Sequence, residues 1–312
     1  MENYGHTTVL LKEAIDQLKV QPDGIYVDAT LGGGGHTDLL VKKILNGKGK
    51  VFSFDQDINA IEFNSNRFVD AIANKKLVLI HSNFANLTEK LEEQGIYKID
   101  GIVFDLGVSS PQFDNADRGF SYRLNSKLDM RMDQNQKLSA YEVINEYSET
   151  ELANIIYQYG DEKFSRQIAK NIVNDRPINT TFELVEEIKK SLPNKVLNSK
   201  GHPAKKTFQA IRIEVNSELD VLKTALKKAS DLLNDKGRIS VITFQSLEDR
   251  IVKKFFVDLS AKNNYPIGLP IEDKYIISDF TNITKKPIVP SKQEIFGNPR
   301  SKSSKLRVIE RN

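Results

Sequence analysis

Short continuous apolar runs alternate with helical-period segments through the first hundred residues. Ile25-Tyr26-Val27-Asp28-Ala29, Val51-Phe52-Ser53-Phe54, Leu77-Val78-Leu79-Ile80 and Gly101-Ile102-Val103-Phe104 each read as a strand buried on both faces. Between the first two lies the cluster Gly32-Gly33-Gly34-Gly35. A helix is predicted from near Thr37, with Leu39, Leu40, Val41, Ile44 and Leu45 on its apolar side and Asn46-Gly47 closing it. Another helix begins after Asp57. Strand–helix–strand repetition of this kind predicts a parallel sheet covered on both faces, a Rossmann-like α/β domain.

The pattern changes after Phe113. Residues 114–137 are polar and loop-like, and several helices follow with no strand between them. Ser139 with Glu142, Ser148 with Glu151 and Thr180 with Glu183 have capping-box spacing, while Gly160, Pro177 and Pro193 supply stops. The α/β pattern then resumes with a helix through Leu219, Leu222, Ala225, Leu226, Ala229, Leu232 and Leu233. It ends near Asp235-Lys236-Gly237 and leads into Ile239-Ser240-Val241-Ile242-Thr243-Phe244. Residues 260–304 read as long loops and Leu306-Arg307-Val308-Ile309 as a final edge strand. The predicted division is a first core segment over 1–112, an inserted helical domain over 113–203 and a second core segment over 204–312 that carries a basic C-terminal stretch.

The chain has no cysteine, which excludes disulfides, thiolate zinc sites, iron–sulfur clusters and a cysteine nucleophile. Base methylation through a covalent cysteine adduct is therefore out. No run approaches 18 apolar residues and the N-terminus lacks a signal-peptide pattern, so no membrane association and a cytoplasmic location are expected. The net charge is only +3, but residues 285–312 hold eight Lys/Arg against Glu294 and Glu310, and residues 188–213 hold seven with no acid. Two basic zones on a balanced chain point to a polyanionic partner, most simply nucleic acid.

Three strand ends carry the candidate chemistry. After the first strand, Asp28-Ala29-Thr30-Leu31-Gly32-Gly33-Gly34-Gly35-His36 forms a glycine turn into a helix, where backbone can approach a ligand closely. Gly32 and Gly34 match a dinucleotide fingerprint, but its third glycine is Thr37 here, against a nicotinamide enzyme. Asp55 lies 23 positions after Gly32 at the end of the second strand, the place of an acid that holds ribose hydroxyls; neighbouring Asp57 is the better helix cap. His81-Ser82-Asn83-Phe84 follows the third strand. Asp105-Leu106-Gly107-Val108-Ser109-Ser110-Pro111-Gln112 leaves the fourth, in the place where amino-group methyltransferases put an acidic, Asn or Ser residue with proline. Acceptors there can hold an exocyclic amine whose lone pair is delocalised and turn it toward a methyl sulfonium. His6 and His81 have no partners at metal-ligand spacing, so no metal site is expected.

The chain strongly resembles the bacterial 16S ribosomal RNA (cytosine-N4)-methyltransferase H family. The resemblance runs in order from His6-Thr7-Thr8-Val9-Leu10-Leu11 through Gly34-Gly35-His36, Arg118-Gly119-Phe120-Ser121, Leu128-Asp129-Met130-Arg131-Met132-Asp133, His202-Pro203-Ala204 and Ser246-Leu247-Glu248-Asp249-Arg250 to Asn298-Pro299-Arg300-Ser301-Lys302-Ser303. It implies a class I methyltransferase core with an inserted helical domain. The implied activity is S-adenosylmethionine-dependent methylation of N4 of a cytidine in the P-site region of 16S rRNA within the small subunit. Cofactor positions fall on Gly34, Gly35, His36, Asp55, Phe84, Asp105 and Gln112. Asp105, Ser109, Ser110 and Pro111 are expected to orient the amine, and Lys205, Lys206, Arg300, Lys302 and Lys305 to meet RNA phosphates. Phe113, Phe120 and Tyr122 are candidates to stack on an extruded base, and Asp129, Arg131 and Asp133 for a lid. The family reads His where this chain has Gln245, which removes a histidine proton acceptor there. The rivals are the same chemistry on DNA and a non-catalytic ribosome-assembly factor with a retained nucleoside pocket. The oligomeric state is left open, a dimer included.

Overall fold

The computed structural model describes residues 8–198, 200–261 and 278–312; His6 and residues 262–277 of the segment read as long loops lie outside them. Two compact units emerge. Among the described residues, an α/β unit takes 8–107 and those from Leu219 onward, and a helical unit takes those of Val108–Glu218.

Among the described residues the α/β unit has seven strands: β1 Ile25–Asp28, β2 Lys50–Asp55, β3 Leu77–His81, β4 Ile99–Asp105, β5 Leu233–Thr243, β6 Phe280–Asn282 and β7 Lys305–Arg311. Their order is β3-β2-β1-β4-β5-β7-β6, with the first five parallel and β7 antiparallel to both neighbours. This is the Rossmann-like core anticipated from the apolar runs. Those runs split between two cores by the two-residue period of a strand. Val27, Phe52, Phe54, Ile102, Phe104 and Val241 face one way, against Leu222, Leu226, Val252 and Phe256. Tyr26, Val51, Leu77, Val103 and Ile242 face the other, against Leu10, Ile15, Leu40 and Ile44.

Leu306–Ile309 is not at the edge. β7 sits inside the sheet, and the edge belongs to the three-residue β6, whose Phe-Thr-Asn sequence is too short to signal a strand. The part of the basic tail that forms β7 is accordingly tied into the sheet, while Lys285, Lys286, Lys292, Arg300 and Lys302 before it are exposed. Arg307 is 6% exposed and forks onto Asp249 of the helix Ser246–Leu259 at 2.6 and 3.2 Å, and Lys305 Nζ lies 3.0 Å from the same carboxylate. Burial pushes the Asp249 carboxyl up, but the hydrogen bonds from Arg307 and Lys305 outweigh it and hold the group below its ordinary value.

In the helical unit, the helices Ala140–Glu146, Glu149–Gly160, Ser165–Asn174, Thr181–Lys190 and Lys205–Val215 enclose Val143, Leu152, Ile156, Ile168, Leu184, Ile188, Phe208 and Ile211. The helix Lys205–Val215 was assigned by its sequence to the second core segment, yet its Phe208, Ile211 and Val215 pack in this core. Both Ser139/Glu142 and Ser148/Glu151 form full capping boxes. Thr180 accepts from the Glu183 N–H, but Glu183 reaches back one residue further, to the Asn179 N–H. The polar segment 114–137 is irregular but anchored. Leu128, Met130 and Met132 are buried, and Asn216 clips them by accepting the Met132 N–H and donating to the Met130 carbonyl, each at 2.8 Å.

Asp249→Ala leaves a buried guanidinium uncompensated. It is expected to lower unfolding free energy by roughly 3–5 kcal/mol in chemical denaturation; a loss under about 1 kcal/mol would contradict an interior role for this ion pair.

Candidate active site

The glycine turn is fixed from two sides. Asp55, ending β2, accepts the Gly32 N–H at 2.8 Å and the Asp57 N–H at 2.9 Å. Asn64, fully buried in the helix Ile58–Arg67, donates to the Gly32 carbonyl at 2.8 Å and to the Ala60 carbonyl at 2.8 Å. Arg67 reaches the Gly33 carbonyl. Gly32 and Gly34 both have positive φ, at 46° and 76°. A Cβ on Gly34 would also overlap the side chains of Asn64 and Phe68, so the position demands glycine on two counts. Gly34 caps the helix Gly35–Ile44, and the turn presents its first N–H groups.

Three carboxylates gather at the same strand ends. Asp28 is fully buried and accepts from the Thr37 hydroxyl at 2.7 Å and the Thr30 N–H at 3.1 Å. Thr30 Oγ1 in turn accepts the Asp105 N–H at 2.7 Å. His36 is buried with Nδ1 3.8 Å from Asp105 Oδ2, and Asp105 Oδ1 is buried with no hydrogen-bond partner among the described residues. Burial raises Asp28 and Asp55 to about 6, against the pull of the hydrogen bonds they accept. Burial, then the charges of Asp28 and Glu248, hold Asp105 well above the carboxylate range. Glu248 is itself committed to the backbone, accepting the Phe244 and Gln245 N–H groups at 2.9 and 3.1 Å. Phe84 lies in a short 3-10 turn after β3 and meets Phe104 edge-on at 5.7 Å.

The α/β unit thus brings Gly34, Gly35, His36, Asp55, Phe84 and Asp105 to the carboxyl ends of its parallel strands, where ligands of open α/β sheets bind. Asp57 caps its helix through the Asn59 N–H at 3.1 Å, as its position after β2 suggested. Ser109, Ser110, Pro111 and Gln112 open the helical unit. Ser109 caps the helix Ser110–Asp114, and Gln112 Oε1 accepts the Ser109 N–H at 3.1 Å. Phe120 is 4% exposed within the helical core, so it cannot offer a face to a base; Tyr122 and Phe113 are half-buried. The Asp129–Arg131 pair is internal to the helical unit, with two bonds at 3.0 and 2.7 Å, and the buried residues around it argue against a free lid.

Asn64, Thr30, Thr37 and Glu248 were missed by sequence reasoning. Thr30, Thr37 and Glu248 stood inside quoted motifs without a role, and Asn64 shows only as the polar member of the Ala60–Asn64–Phe68 row at four-residue spacing. Among the basic residues, Lys302 and Arg300 are exposed, as is Lys205. Lys206 donates to the Asp161 carbonyl at 2.7 Å, and Lys305 is held by Asp249.

Residues 3–312 match the profile described as the MraW methylase family. The chain belongs to that family. It is 60% identical to a ribosomal RNA small subunit methyltransferase H of Oenococcus oeni over 99% of each chain. It is 51% identical to the protein of that name from Lactiplantibacillus plantarum over 100% of this chain and 98% of the relative. A solved rRNA methylase from Streptococcus thermophilus aligns over 98% of this chain and 97% of its own, at 13% identity and TM-score 0.42, a distance at which nothing about the site carries over.

The residues fit the sulfonium methyl donor of a methylase on structural grounds. A glycine cradle and an anionic cluster with one unfilled buried acceptor, Asp105 Oδ1, suit a ligand carrying positive charge.

A pH consequence follows from the raised carboxyls. Between about 4 and 6, folded protein retains protons on Asp28 and Asp55 that the unfolded chain releases, so rising pH lowers stability there and the penalty is complete above 6. In denaturation of cofactor-free protein across that window, Asp28→Asn should remove part of the decline; an unaltered slope would contradict the buried-acid account.

Proposed function

We propose that this protein methylates N4 of a cytidine in the P-site region of 16S rRNA, using S-adenosylmethionine. The observation that carries the proposal is the anionic, glycine-lined cradle at the strand ends, in which Asp105 keeps a buried acceptor open. Membership of a methylase family whose relatives are small-subunit rRNA methyltransferases supports it.

The bound donor supplies an electrophilic methyl on sulfur. The protein's own residues do the remaining work by binding and orientation. Gly34, Gly35 and His36 present the start of a helix to the donor's polar end. Asp55, each of whose oxygens accepts one backbone N–H and keeps a second lone pair, accepts from ribose hydroxyls, and Phe84 covers the adenine side. Gln112 completes the cofactor set. Asp105, Ser109, Ser110 and Pro111 hold the cytosine amine so that its nitrogen lone pair meets the methyl. The nitrogen–carbon bond forms as the sulfur–carbon bond breaks, and the amine gives up one proton. The donor's positive charge favours the ionised form of Asp105, and that carboxylate, whose proton affinity burial has raised, is suited to take the proton. No covalent enzyme adduct is involved, consistent with a chain that has no cysteine. Lys205, Lys206, Arg300 and Lys302 meet phosphates, with Lys305 contributing what its bond to Asp249 leaves.

The test is methyl transfer from labelled donor to undermethylated small subunits, with duplex DNA as competing acceptor, read by nucleoside mass spectrometry. N4-methylcytidine at one rRNA site is expected, with Asp105→Ala reducing the rate roughly 100-fold or more while the fold is preserved. Transfer to DNA in preference, or donor binding with no N4-methylcytidine, would overturn the reading.

A further inference from the structure

The helical unit carries a groove of about 710 Å³, lined among others by Tyr122, Arg123, Phe182, Glu187, Lys189 and His202. None of these belongs to the strand-end cradle. The His202 ring lies flat on Tyr122, with centroids 4.3 Å apart and planes 18° from parallel. Phe208 meets Tyr122 edge-on at 5.7 Å, a second aromatic contact that holds the tyrosine. The Arg123 guanidinium sits 5.9 Å from the Tyr122 ring centre. His202 Nδ1 accepts the Ala204 N–H at 3.2 Å, which orients the imidazole and leaves its proton on Nε2. Burial, then the nearby charges of Lys189 and Arg123, push the imidazole below its ordinary value, so it is a neutral ring at pH 7. An aromatic platform of this kind is already ordered before anything binds.

The carboxylates of the groove are mostly spoken for. Glu186 is paired with Lys189 at 2.8 Å, and Glu183 accepts the Asn179 N–H at 2.7 Å. Glu187 differs. It is 7% exposed, its Oε1 accepts from Lys190 at 2.6 Å, and its Oε2 is buried with no hydrogen-bond partner among the described residues. Glu187 and the flat aromatic pair line the same groove, and an acceptor and a ring face in one groove are matched by a planar ligand with an N–H edge. A nucleobase amine is such an edge, and a carboxylate accepting from the cytosine amine is a standard pairing. Unpaired RNA bases stack on aromatic rings in the same way.

We propose that this groove binds an unpaired, amino-bearing nucleobase of the RNA, stacked on the Tyr122–His202 platform, its amine donating to Glu187 Oε2 and its phosphate toward Arg123. Uracil is disfavoured, because its carbonyl at the position of the cytosine amine would face the carboxylate. The site is a second point of RNA recognition, distinct from the base that is methylated. It rests on the RNA reading above for the source of the nucleotide.

The experiment titrates the full chain with CMP, GMP, AMP and UMP by calorimetry, and separately with S-adenosylmethionine. CMP, GMP and AMP are expected to bind more tightly than UMP. His202→Ala should weaken all four by about tenfold, the loss of one stacking partner. Glu187→Gln should bring UMP level with CMP. Both variants should keep the wild-type cofactor Kd, and His202→Ala should raise KM for undermethylated subunits. Absence of nucleotide binding, affinities indifferent to His202→Ala, or a parallel loss of cofactor affinity would overturn the proposal. Normal nucleotide titrations with no methyl transfer to subunits would instead remove the methylation reading and leave the groove standing.

Discussion

The site depends on how one peptide unit is held. Gly32 has its N–H taken by Asp55 and its carbonyl taken by Asn64, so the turn between β1 and the next helix is tied to the end of β2 and to the helix that follows β2. Left-handed glycines are otherwise the most mobile residues in a chain, and a loop that must be ordered by its ligand spends binding energy on that ordering. Here two buried side chains from separate elements supply the order in advance. Gly34 inherits its position from the same clamp, since the Asn64 side chain occupies the space any Cβ would need.

Electrostatics adds a second constraint. Asp28, Asp55 and Asp105 converge where burial makes each charge costly, and their raised carboxyls record that cost. Such an arrangement is poor for stability and good for a cationic ligand, which relieves the repulsion when it binds. Fold and chemistry pull in opposite directions at this point. The remainder of the α/β unit, with its doubly covered strands and the Asp249–Arg307 pair, offsets the strain.

How much of this was legible in the sequence depended on the range of the interaction. The first five strands stood out because residues buried on both faces must be apolar at consecutive positions, and β7 was visible for the same reason. Its place inside the sheet was not, because three residues of β6 carry no periodic signal. The glycine turn and Asp55 were both marked as candidates, but their direct bond spans 23 positions and leaves no local pattern. Arg307 and Lys305 read as part of a basic stretch facing a polyanion, since a strand that buries an arginine against Asp249 looks the same in composition as one that offers it to phosphate. Likewise the helix Lys205–Val215 has an ordinary amphipathic pattern that does not say which core receives it.

The central claim, that the Gly32 clamp builds the cofactor site, is tested most directly by measuring S-adenosylmethionine affinity calorimetrically for Asn64→Ala, alongside its melting temperature and far-ultraviolet circular dichroism. Loss of one buried hydrogen-bonding side chain beneath the turn should weaken cofactor binding by roughly tenfold or more while the sheet stays folded. A wild-type Kd in a folded Asn64→Ala protein would contradict the account.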